Sequence, residues 1–181
     1  KIWKYENMKI WKYENMKITL KDIDVLIFDF DGVLTNNLVH LNQEGEEFVS
    51  CSRSDGLAFD VIRKLKIPTY ILSTEENLVV TARAKKLNIP VIQGVKKKTE
   101  SIINLSKKEG FNLEKILYIG NDLNDYHAMQ LCGFRACPVD SHERIKSIAN
   151  IRLNSNGGNG VVRELLEEVI KIDFIEVLYS I

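Results

Sequence analysis

Short apolar runs alternate with amphipathic segments along most of the chain. Asp24 to Phe30 (DVLIFDF) is rich in β-branched and aromatic residues, which is typical of a strand buried inside a parallel sheet. The same alternation predicts strands at 69–73, 90–93, 115–119, 134–138 and 151–153, and helices at 56–66, 76–87, 98–109, 123–131 and 160–170. We therefore expect an α/β fold, a Rossmann-like doubly wound and mainly parallel sheet with helices on both faces.

The segment between the first strand and the first helix predicts a β-hairpin. Strand-like runs at 38–41 and 46–51 flank the turn-rich tetrad Asn42-Gln43-Glu44-Gly45. Such a hairpin would project from the sheet. Ser54 or Asp55 is expected to cap the helix that follows, because both residue types accept hydrogen bonds from free N–H groups at a helix start.

The first sixteen residues contain an exact repeat, since residues 1–8 (KIWKYENM) recur as residues 9–16. A unit this short does not resemble the repeats of solenoid proteins, which need about 20 residues or more. We interpret 1–16 as a duplicated segment outside the fold and 17–181 as one domain. The alternative is an amphipathic segment that contacts a partner through aromatic side chains, namely Trp3, Tyr5, Trp11 and Tyr13.

Composition excludes several classes of protein. The 181 residues are 45% hydrophobic and carry 25 Lys and Arg against 25 Asp and Glu, so the formal net charge is zero. A protein that binds nucleic acid through phosphate contacts normally has a basic excess, and a disordered chain has fewer apolar residues. No apolar run approaches the roughly 20 residues that span a bilayer, and the first residues lack the apolar stretch of a signal peptide. We expect a cytoplasmic protein with no nucleic-acid or membrane partner.

The cysteines and histidines do not predict a zinc site or a disulfide. The three cysteines are odd in number and lack a CxxC spacing, so we interpret them as reduced thiols packed as small apolar groups: Cys51, Cys132 and Cys137. The three histidines show no mutual spacing typical of metal ligands and are assigned surface or core roles: His40, His127 and His142.

Polar side chains follow the predicted strands where each strand ends. Asp29 and Asp31 follow the first strand and Ser73 ends the second, and carboxyl ends of parallel strands meet at one edge of a sheet. The other polar residues at this edge are Lys98, Asn121, Asp122 and Asp125. Several carboxylates at one edge repel one another unless a cation neutralises them. Hard oxygen ligands in small number select Mg²⁺ over zinc.

Four of these features together resemble the motifs of the haloacid dehalogenase superfamily. DFDGVLT at 29–35 resembles its DxDGxxT signature, GNDLND at 120–125 resembles its acidic fourth motif, and Ser73 and Lys98 match the second and third. Within the superfamily the chain looks like the small capless phosphatases of 2-keto-3-deoxy sugar acids. The segments that carry this closer resemblance are SRSDGLAF at 52–59, QGVKKK at 93–98 and NGGNGVVRE at 156–164.

The resemblance implies a role for each motif residue. Asp29 would be the nucleophile that forms an aspartyl-phosphate, and Asp31 would be the general acid and base. Lys98 would balance the phosphoryl charge and Asp125 would orient Lys98. The implied phosphate and substrate contacts are the backbone N–H groups of Phe30 and Asp31, the side chains of Ser73, Thr74 and Lys98, and the side chains of Arg53 and Arg163. The implied Mg²⁺ ligands are Asp29, the backbone carbonyl of Asp31, Asn121 and Asp122.

The expected reaction is Mg²⁺-dependent hydrolysis of a 2-keto-3-deoxy sugar acid phosphate of the 3-deoxy-D-manno-octulosonate (KDO) 8-phosphate type. Two positions depart from the commoner pattern of the relatives. Asn121 stands where many relatives have Asp, and Glu75 lies in a stretch, Thr74 to Asn77, where KDO 8-phosphate phosphatases usually have Gly-Arg. These departures keep open a nonulosonate 9-phosphate phosphatase, acting on a sialic acid or KDN-like substrate.

Other interpretations of the same residues stay open. A receiver-like phosphoacceptor domain also combines acidic residues, Ser or Thr and Lys around Mg²⁺, and Asn121 and Glu75 are compatible with a weakly catalytic module that binds sugar acids. Ser73 alone could cap a helix, and Lys96 and Lys97 are assigned to a solvated face. Arg53 could form a hairpin salt bridge and Arg163 an exposed pair with Glu164.

The spacing of the motifs leaves no room for a cap domain, because residues 32–72 hold only a hairpin and one helix and residues 74–97 are shorter still. A site that transfers phosphoryl groups must nevertheless exclude water. We therefore expect the hairpin at 38–51 and the segment 156–164 to cover the site of a neighbouring subunit. The family resemblance implies a homotetramer.

Overall fold

The computed structural model describes residues 18–180 of the chain. The repeated segment 1–16, with its four aromatic residues, lies outside the described residues. Its interpretation as a duplication therefore stays a prediction.

Six parallel strands form the central sheet, in the order β5-β4-β1-β6-β7-β8. Two further strands, β2 and β3, pair antiparallel and form a separate hairpin. The strands are β1 (Val25–Phe28), β2 (His40–Leu41), β3 (Glu47–Phe48), β4 (Thr69–Leu72), β5 (Val91–Ile92), β6 (Ile116–Ile119), β7 (Phe134–Cys137) and β8 (Ile151–Arg152). The order reverses at β1, which is characteristic of a doubly wound sheet.

Helices follow the strands and cover both faces of the sheet. They are α1 (Arg53–Lys64), α2 (Leu78–Leu87), α3 (Lys98–Glu109), α4 (Tyr126–Gln130), α5 (Glu143–Ile148), α6 (Val161–Glu164) and α7 (Phe174–Tyr179). Three 3₁₀ turns lie at Leu20–Asp22, Leu113–Lys115 and Leu123–Asp125, and a π-helical turn, Leu165–Val169, continues α6.

The sheet separates two apolar clusters. Leu26 and Phe28 of β1 point into the cluster formed with α1, α2 and α6, whereas Val25 and Ile27 point into the one formed with α3, α4 and α5. Alternating side chains of one strand are thus buried on both faces, which explains why DVLIFDF is almost continuously apolar. The predicted doubly wound α/β fold is confirmed. In residues 18–180, no helix combines the length and the apolar character needed to cross a membrane.

The predicted hairpin exists and projects from the sheet. Its strands contain two residues each, and Leu38, Val39, Leu41 and Phe48 are exposed. Between β1 and α1 the chain forms this hairpin and no cap domain. The expectation of a capless fold is therefore confirmed.

Several predicted boundaries are wrong. The cap of α1 is Ser52, whose hydroxyl accepts from the N–H of Ser54, so the helix begins three residues before the predicted start. Ser73 caps no helix, because Asn77 caps α2. The predicted helices 123–131 and 160–170 contain a 3₁₀ turn and a π-helical turn. The short helices α5 and α7 were not predicted, since each spans fewer than two turns and shows little periodicity.

All three cysteines are free. Cys132 and Cys137 are buried, as predicted for small apolar groups, whereas Cys51 is only half-buried. Burial raises the pKa of the Cys132 thiol to about 12 and that of Cys137 to about 11, so both remain protonated thiols near neutral pH.

The glycine-rich segment packs against the loop after β1, residues 29–36 of its own chain. The N–H of Gly158 donates to the carbonyl of Val33 at 2.9 Å, and the N–H of Gly157 donates to Asp140 at 3.0 Å. A Cβ atom on Gly157 would lie 2.2 Å from the carbonyl oxygen of Gly32. Residues 157–158 therefore support the loop after β1 within one chain, and the predicted role of the segment 156–164 across subunits stays a prediction.

Asp55 of α1 anchors the same region. Its carboxylate accepts from the N–H of Arg163 at 3.0 Å, at the start of α6. Burial raises the pKa of Asp55 to about 6. The backbone N–H of Arg163 and the positive charge of Arg83 oppose this rise. The carboxylate thus links α1 to the helix that follows the glycine-rich segment.

We expect Gly157→Ala to destabilise the fold, because its methyl group cannot fit beside the Gly32 carbonyl. Overpacking of this kind costs about 1 to 3 kcal/mol of unfolding free energy. Urea unfolding followed by circular dichroism measures the change.

The matched control is Gly56→Ala in the middle of α1, where the nearest heavy atom would be 3.9 Å from the new Cβ. This variant should gain about 0.5 to 1 kcal/mol, because alanine is the better helix former. Equal midpoints for the two variants would contradict the packing described for Gly157.

Candidate active site

The polar residues predicted at the strand ends meet at the carboxyl edge of the sheet. They line a cleft of about 370 Å³ beyond β1, β4 and β6. Its lining residues are Asp29, Asp31, Asn37, Ser73, Thr74, Asn121, Asp122, Leu123 and Asn124. The cleft therefore lies where the strand order reverses, the usual ligand site of a doubly wound sheet.

Lys98 lies beneath the cleft between two carboxylates. Its Nζ is 2.7 Å from Oδ1 of Asp29 and 2.7 Å from Oδ1 of Asp125, and all three side chains are buried. Burial alone lowers the pKa of Lys98, but the two carboxylates outweigh burial and raise it above its ordinary value. Lys98 is thus a fixed positive charge at the floor of the cleft.

Asp29 presents one free carboxylate oxygen. Oδ1 accepts from Lys98 and from the N–H of Phe30 at 2.7 Å, while Oδ2 has no hydrogen-bond partner within residues 18–180. Burial and the nearby charge of Asp125 raise the pKa of Asp29 well above its ordinary value, and Lys98 opposes them. A cation bound beside Asp29 would favour the ionised, nucleophilic form.

Asp125 is held by four donors. Oδ1 accepts from Lys98 and from the hydroxyl of Tyr118, each at 2.7 Å. Oδ2 accepts from the N–H groups of Asn121 at 2.9 Å and Asp122 at 3.3 Å. Burial, and secondly the charge of Asp125, raises the pKa of Tyr118 well above its ordinary value, so its hydroxyl remains a donor. Asp125 therefore fixes both Lys98 and the loop after β6.

Asp31 is half-buried at the side of the cleft. Burial raises its pKa, and the carboxylates of Glu75 and Glu47 add to the shift. The hydroxyl of Thr35 lies 3.5 Å from Asp31 Oδ1 and accepts from the N–H of Gly32 at 3.2 Å. A raised pKa increases the protonated fraction of Asp31, which a general acid requires.

Several donors face the cleft without a protein acceptor. The N–H groups of Asp31 and Thr74 and the hydroxyl hydrogen of Ser73 have none within residues 18–180. The N–H of Phe30, also predicted as a phosphate donor, donates to Asp29 instead. Unpaired donors beside a buried ammonium form an arrangement that can bind a tetrahedral anion.

The loop after β6 contains oxygens suited to a hard cation. Oδ1 of Asn121 is buried without a hydrogen-bond partner, and the Asp31 carbonyl accepts no hydrogen bond within the described part of the chain. Asp122 lies at the cleft, but one of its oxygens caps the Leu123 turn at 2.7 Å. These atoms, with Asp29, fit the few oxygen ligands of Mg²⁺, and the orphaned oxygen favours Asn121 over Asp122 as the principal ligand.

Gly32 makes this arrangement possible. Its φ is +78°, and a Cβ atom there would lie 1.9 Å from Nδ2 of Asn121. Only glycine lets the loop after β1, residues 29–36, approach the Asn121 side chain so closely. Across residues 18–180, no three His, Cys, Asp or Glu side chains converge as a metal site. The oxygens that could hold a cation here are the Asp29 carboxylate, the Asp31 carbonyl and the Asn121 amide.

The structure does not bring Arg53 or Arg163 to the cleft. Arg53 is exposed at the start of α1. Arg163 lies 2.6 Å from Glu167 and stacks over the ring of Phe174 at 4.5 Å. The Arg163–Glu164 pair is not formed, because Glu164 accepts from the N–H groups of residues 154 and 155. A substrate contact for either arginine stays a prediction.

The histidines do not contribute to the cleft. His40 is exposed on the hairpin, and His127 is exposed on α4. His142 caps α5 through Nδ1, and its N–H donates to the Asn121 carbonyl. Surface and capping roles therefore agree with the predicted assignment.

Five residues at the site were not predicted from sequence. Thr35 and Tyr118 act through hydrogen bonds to Asp31 and Asp125. Thr35 belongs to the DFDGVLT motif, which could have indicated it, whereas a tyrosine inside an apolar strand gives no such signal. The other three line the cleft mouth, namely Asn37, Leu123 and Asn124.

Known proteins resemble this chain over most of its length. A sequence profile of the haloacid dehalogenase-like hydrolases matches residues 40–165, more than half of the chain. The 3-deoxy-D-manno-octulosonate 8-phosphate phosphatase KdsC of Haemophilus influenzae is 29% identical over 153 residues, which cover 84% of this chain and 85% of that protein.

Two solved structures are similar to this chain in fold and sequence. A HAD-family hydrolase of Streptomyces avermitilis MA-4680 is 36% identical with a TM-score of 0.85, and the alignment covers 88% of this chain and 91% of that one. The 3-deoxy-D-manno-octulosonate 8-phosphate phosphatase of Moraxella catarrhalis, solved with magnesium, phosphate and KDO, is 31% identical with a TM-score of 0.80. That alignment covers 88% of this chain and 90% of the Moraxella chain.

We expect Tyr118→Phe to destabilise the protein by about 1.5 to 3 kcal/mol, because Asp125 loses a buried donor to a charged group. The measurement is the free energy of unfolding in urea. Tyr70→Phe is the control, since the Tyr70 hydroxyl makes no hydrogen bond within residues 18–180 and the change should stay within about 0.5 kcal/mol. Equal losses in both variants would contradict the role assigned to Tyr118.

Proposed function

This chain belongs to the haloacid dehalogenase-like hydrolase family, and from that premise we propose that it is a Mg²⁺-dependent phosphatase that works through an aspartyl-phosphate intermediate. The observation that carries the proposal is the free Oδ2 of Asp29 at the cleft, beside the buried ammonium of Lys98. Nucleophile, cation and unpaired donors surround one space, as phosphoryl transfer requires. The order of the motifs favours a hydrolase over a receiver-like phosphoacceptor domain, because Asp29 follows β1 and the acidic residues Asp122 and Asp125 follow the later strand β6. A receiver places its phosphorylated Asp on a later strand than its acidic pair.

The first step transfers the phosphoryl group to the protein. A carboxylate oxygen of Asp29 attacks phosphorus as the bond to the leaving oxygen breaks, and Asp31 donates a proton to that oxygen. Ser73, the N–H of Thr74 and the N–H of Asp31 bind the phosphoryl oxygens. Lys98 offsets their charge in the transition state.

The second step regenerates the protein. Asp31, now a carboxylate, takes a proton from a water molecule, whose oxygen attacks phosphorus as the bond to Asp29 breaks. Mg²⁺ held by Asp29, the Asp31 carbonyl and Asn121 would supply charge neutralisation between nucleophile and phosphate. Asp125 takes no proton in either step and keeps Lys98 in place.

The proposed substrate is a 2-keto-3-deoxy sugar acid phosphate of the KDO 8-phosphate type. The names of the Haemophilus and Moraxella relatives support it. Glu75 supports the nonulosonate 9-phosphate alternative, because its carboxylate lies near Asp31 and acts on the pKa of that residue. A nine-carbon acid phosphorylated at C9 holds its own carboxylate one carbon farther from the ester than KDO 8-phosphate does. The negative charge of Glu75 would therefore repel the nine-carbon acid less.

We expect Asp29→Asn to lower kcat by at least about 1,000-fold, because the nucleophile is lost. Hydrolysis of p-nitrophenyl phosphate with Mg²⁺ and with a chelator measures it. Asp60→Asn makes the same chemical change on α1, away from the cleft, and should keep the rate. Full turnover by Asp29→Asn would contradict the mechanism.

A side-by-side comparison of KDO 8-phosphate and a nonulosonate 9-phosphate then decides the substrate by the ratio of kcat/KM. Glu75→Gln should raise kcat/KM for KDO 8-phosphate more than for the nine-carbon ester. Binding of both acids without turnover would instead support the weakly catalytic binding module.

We further propose that the chain works as a homotetramer through its hairpin. Leu41 is 67% exposed and Phe48 is 54% exposed, and an apolar hairpin of this kind is typical of an interface. The hairpin also reaches the rim of the cleft, since Glu47 accepts from the Asn77 side chain at 2.9 Å. In the proposed assembly, the exposed apolar side chains of the hairpin would cover the site of a neighbouring subunit and exclude water.

We expect the double variant Leu41→Glu with Phe48→Glu to sediment as a smaller species than the unmodified chain, because charged side chains are costly to bury in an interface. Sedimentation velocity over a concentration series measures this. Ile175→Glu, at an exposed position on α7, is the control and should leave the assembly intact. A monomeric unmodified chain would refute the proposal.

A further inference from the structure

The mouth of the cleft differs from its floor in the kind of side chains that line it. The floor carries the carboxylates of Asp29 and Asp31, with the buried Lys98 beneath them. The mouth contains the exposed side chains of Asn37, Thr74, Asp122, Leu123 and Asn124. Of the residues that line the cleft, none is a lysine or an arginine. A leaving group attached to the phosphate at the floor would therefore meet two neutral amides, a hydroxyl, one apolar side chain and the carboxylate of Asp122, with no lysine or arginine among them.

The two amides are attached to the loops that hold the catalytic residues. Asn37 adopts the left-handed conformation, with φ of 62°, and its N–H donates to Thr35 Oγ1 at 3.2 Å. Asn124 lies directly before Asp125 in a 3₁₀ turn, and its Nδ2 is 3.4 Å from Thr74 Oγ1. Their positions relative to the phosphate site are thus fixed by the same hydrogen bonds that fix the nucleophile loop and Lys98.

Two carboxylates stand at the rim beside these amides. Glu75 follows Thr74, and its Oε1 accepts from the N–H of Asn77 at 2.7 Å. Glu47 of the hairpin accepts from the side chain of the same Asn77 at 2.9 Å. Both charges also raise the pKa of Asp31, which places them within electrostatic range of the cleft. A negative group close to the ester would be repelled, with no lining cation to offset it.

We infer that Asn37 and Asn124 determine the specificity of this cleft by binding hydroxyl groups on the carbons next to the phosphate ester, and that the site rejects esters with a carboxylate on those carbons. The inference rests on the proposed phosphatase and deepens it, since it names the part of the leaving group that the chain recognises. An amide offers both donors and an acceptor to neighbouring hydroxyls. Leu123 can pack against the C–H groups between them.

A three-carbon series of phosphate esters tests the inference. Glycerol 3-phosphate, propyl phosphate and 3-phosphoglycerate share their length but carry respectively two hydroxyls, none, and one hydroxyl with a carboxylate. We expect kcat/KM to be about 3- to 10-fold higher for glycerol 3-phosphate than for propyl phosphate, the range of one or two neutral hydrogen bonds, and lowest for 3-phosphoglycerate.

Variants separate recognition from folding. Asn124→Ala and Asn37→Gly, which keeps the positive φ, should each abolish the preference for glycerol 3-phosphate over propyl phosphate, so that the ratio of the two kcat/KM values falls to about one. Glu75→Gln should raise kcat/KM for 3-phosphoglycerate relative to the other two esters, because it removes a negative charge beside the carboxylate. Gln130→Ala, an exposed amide on α4 away from the lining residues, is the control and should leave all three values unchanged.

Each result decides one proposal. Equal kcat/KM for glycerol 3-phosphate and propyl phosphate overturns the specificity inference, and so does an equal loss on all three esters in Asn124→Ala. The proposed phosphatase activity still stands in either case if the chain hydrolyses p-nitrophenyl phosphate. Failure to hydrolyse p-nitrophenyl phosphate overturns the phosphatase. If the chain hydrolyses none of the esters, calorimetry with Mg²⁺ present measures its affinity for each of the three. Affinity that is highest for glycerol 3-phosphate and lowest for 3-phosphoglycerate would support the specificity inference, and any other order would overturn it.

Discussion

The ammonium group of Lys98 lies 2.7 Å from the carboxylates of both Asp29 and Asp125, and none of the three side chains is open to water. Removing such charges from water is expensive unless each is paired and hydrogen-bonded. The tyrosine hydroxyl and the two backbone N–H groups on Asp125 complete that pairing. Asp29 follows β1, Asp125 lies in the turn after β6 and Lys98 opens α3, so this cluster joins three elements at the carboxyl edge of the sheet.

The loops at the carboxyl edge depend on this buried cluster and on one another. Asp125 holds the backbone of Asn121, whose side chain lies against Gly32, and Gly32 in turn contacts Gly157. The absence of a Cβ at both glycines lets three loops from distant parts of the chain pack closely. The result is a floor with a free Asp29 oxygen and unpaired donors, which is the preorganisation that the proposed phosphoryl transfer needs.

The predictions that succeeded rest on interactions between residues close in sequence, and those that failed depend on contacts between distant residues. Helix α3 has the bounds that its periodicity predicts, because a long amphipathic segment ending at Gly110 signals itself locally. Helix α1 begins earlier than predicted, since Ser52, Ser54 and Asp55 can all cap a helix and Asp55 is instead used by a backbone N–H of Arg163. That contact joins residues more than 100 positions apart, and no local pattern reports it.

By itself, the sequence determined the alternation of strands and helices, because apolar periodicity is a local property of each segment. It also determined which residues gather at the carboxyl edge, because each of them follows a strand and parallel strands end at the same edge of a sheet. Only the tertiary structure decided how those residues are used. It places Tyr118 on Asp125, holds Arg163 against Glu167 and Phe174 away from the cleft, and lines the mouth with Asn37 and Asn124. The physical reason is that hydrogen bonds and ion pairs depend on distances of a few ångströms, which packing of distant segments sets.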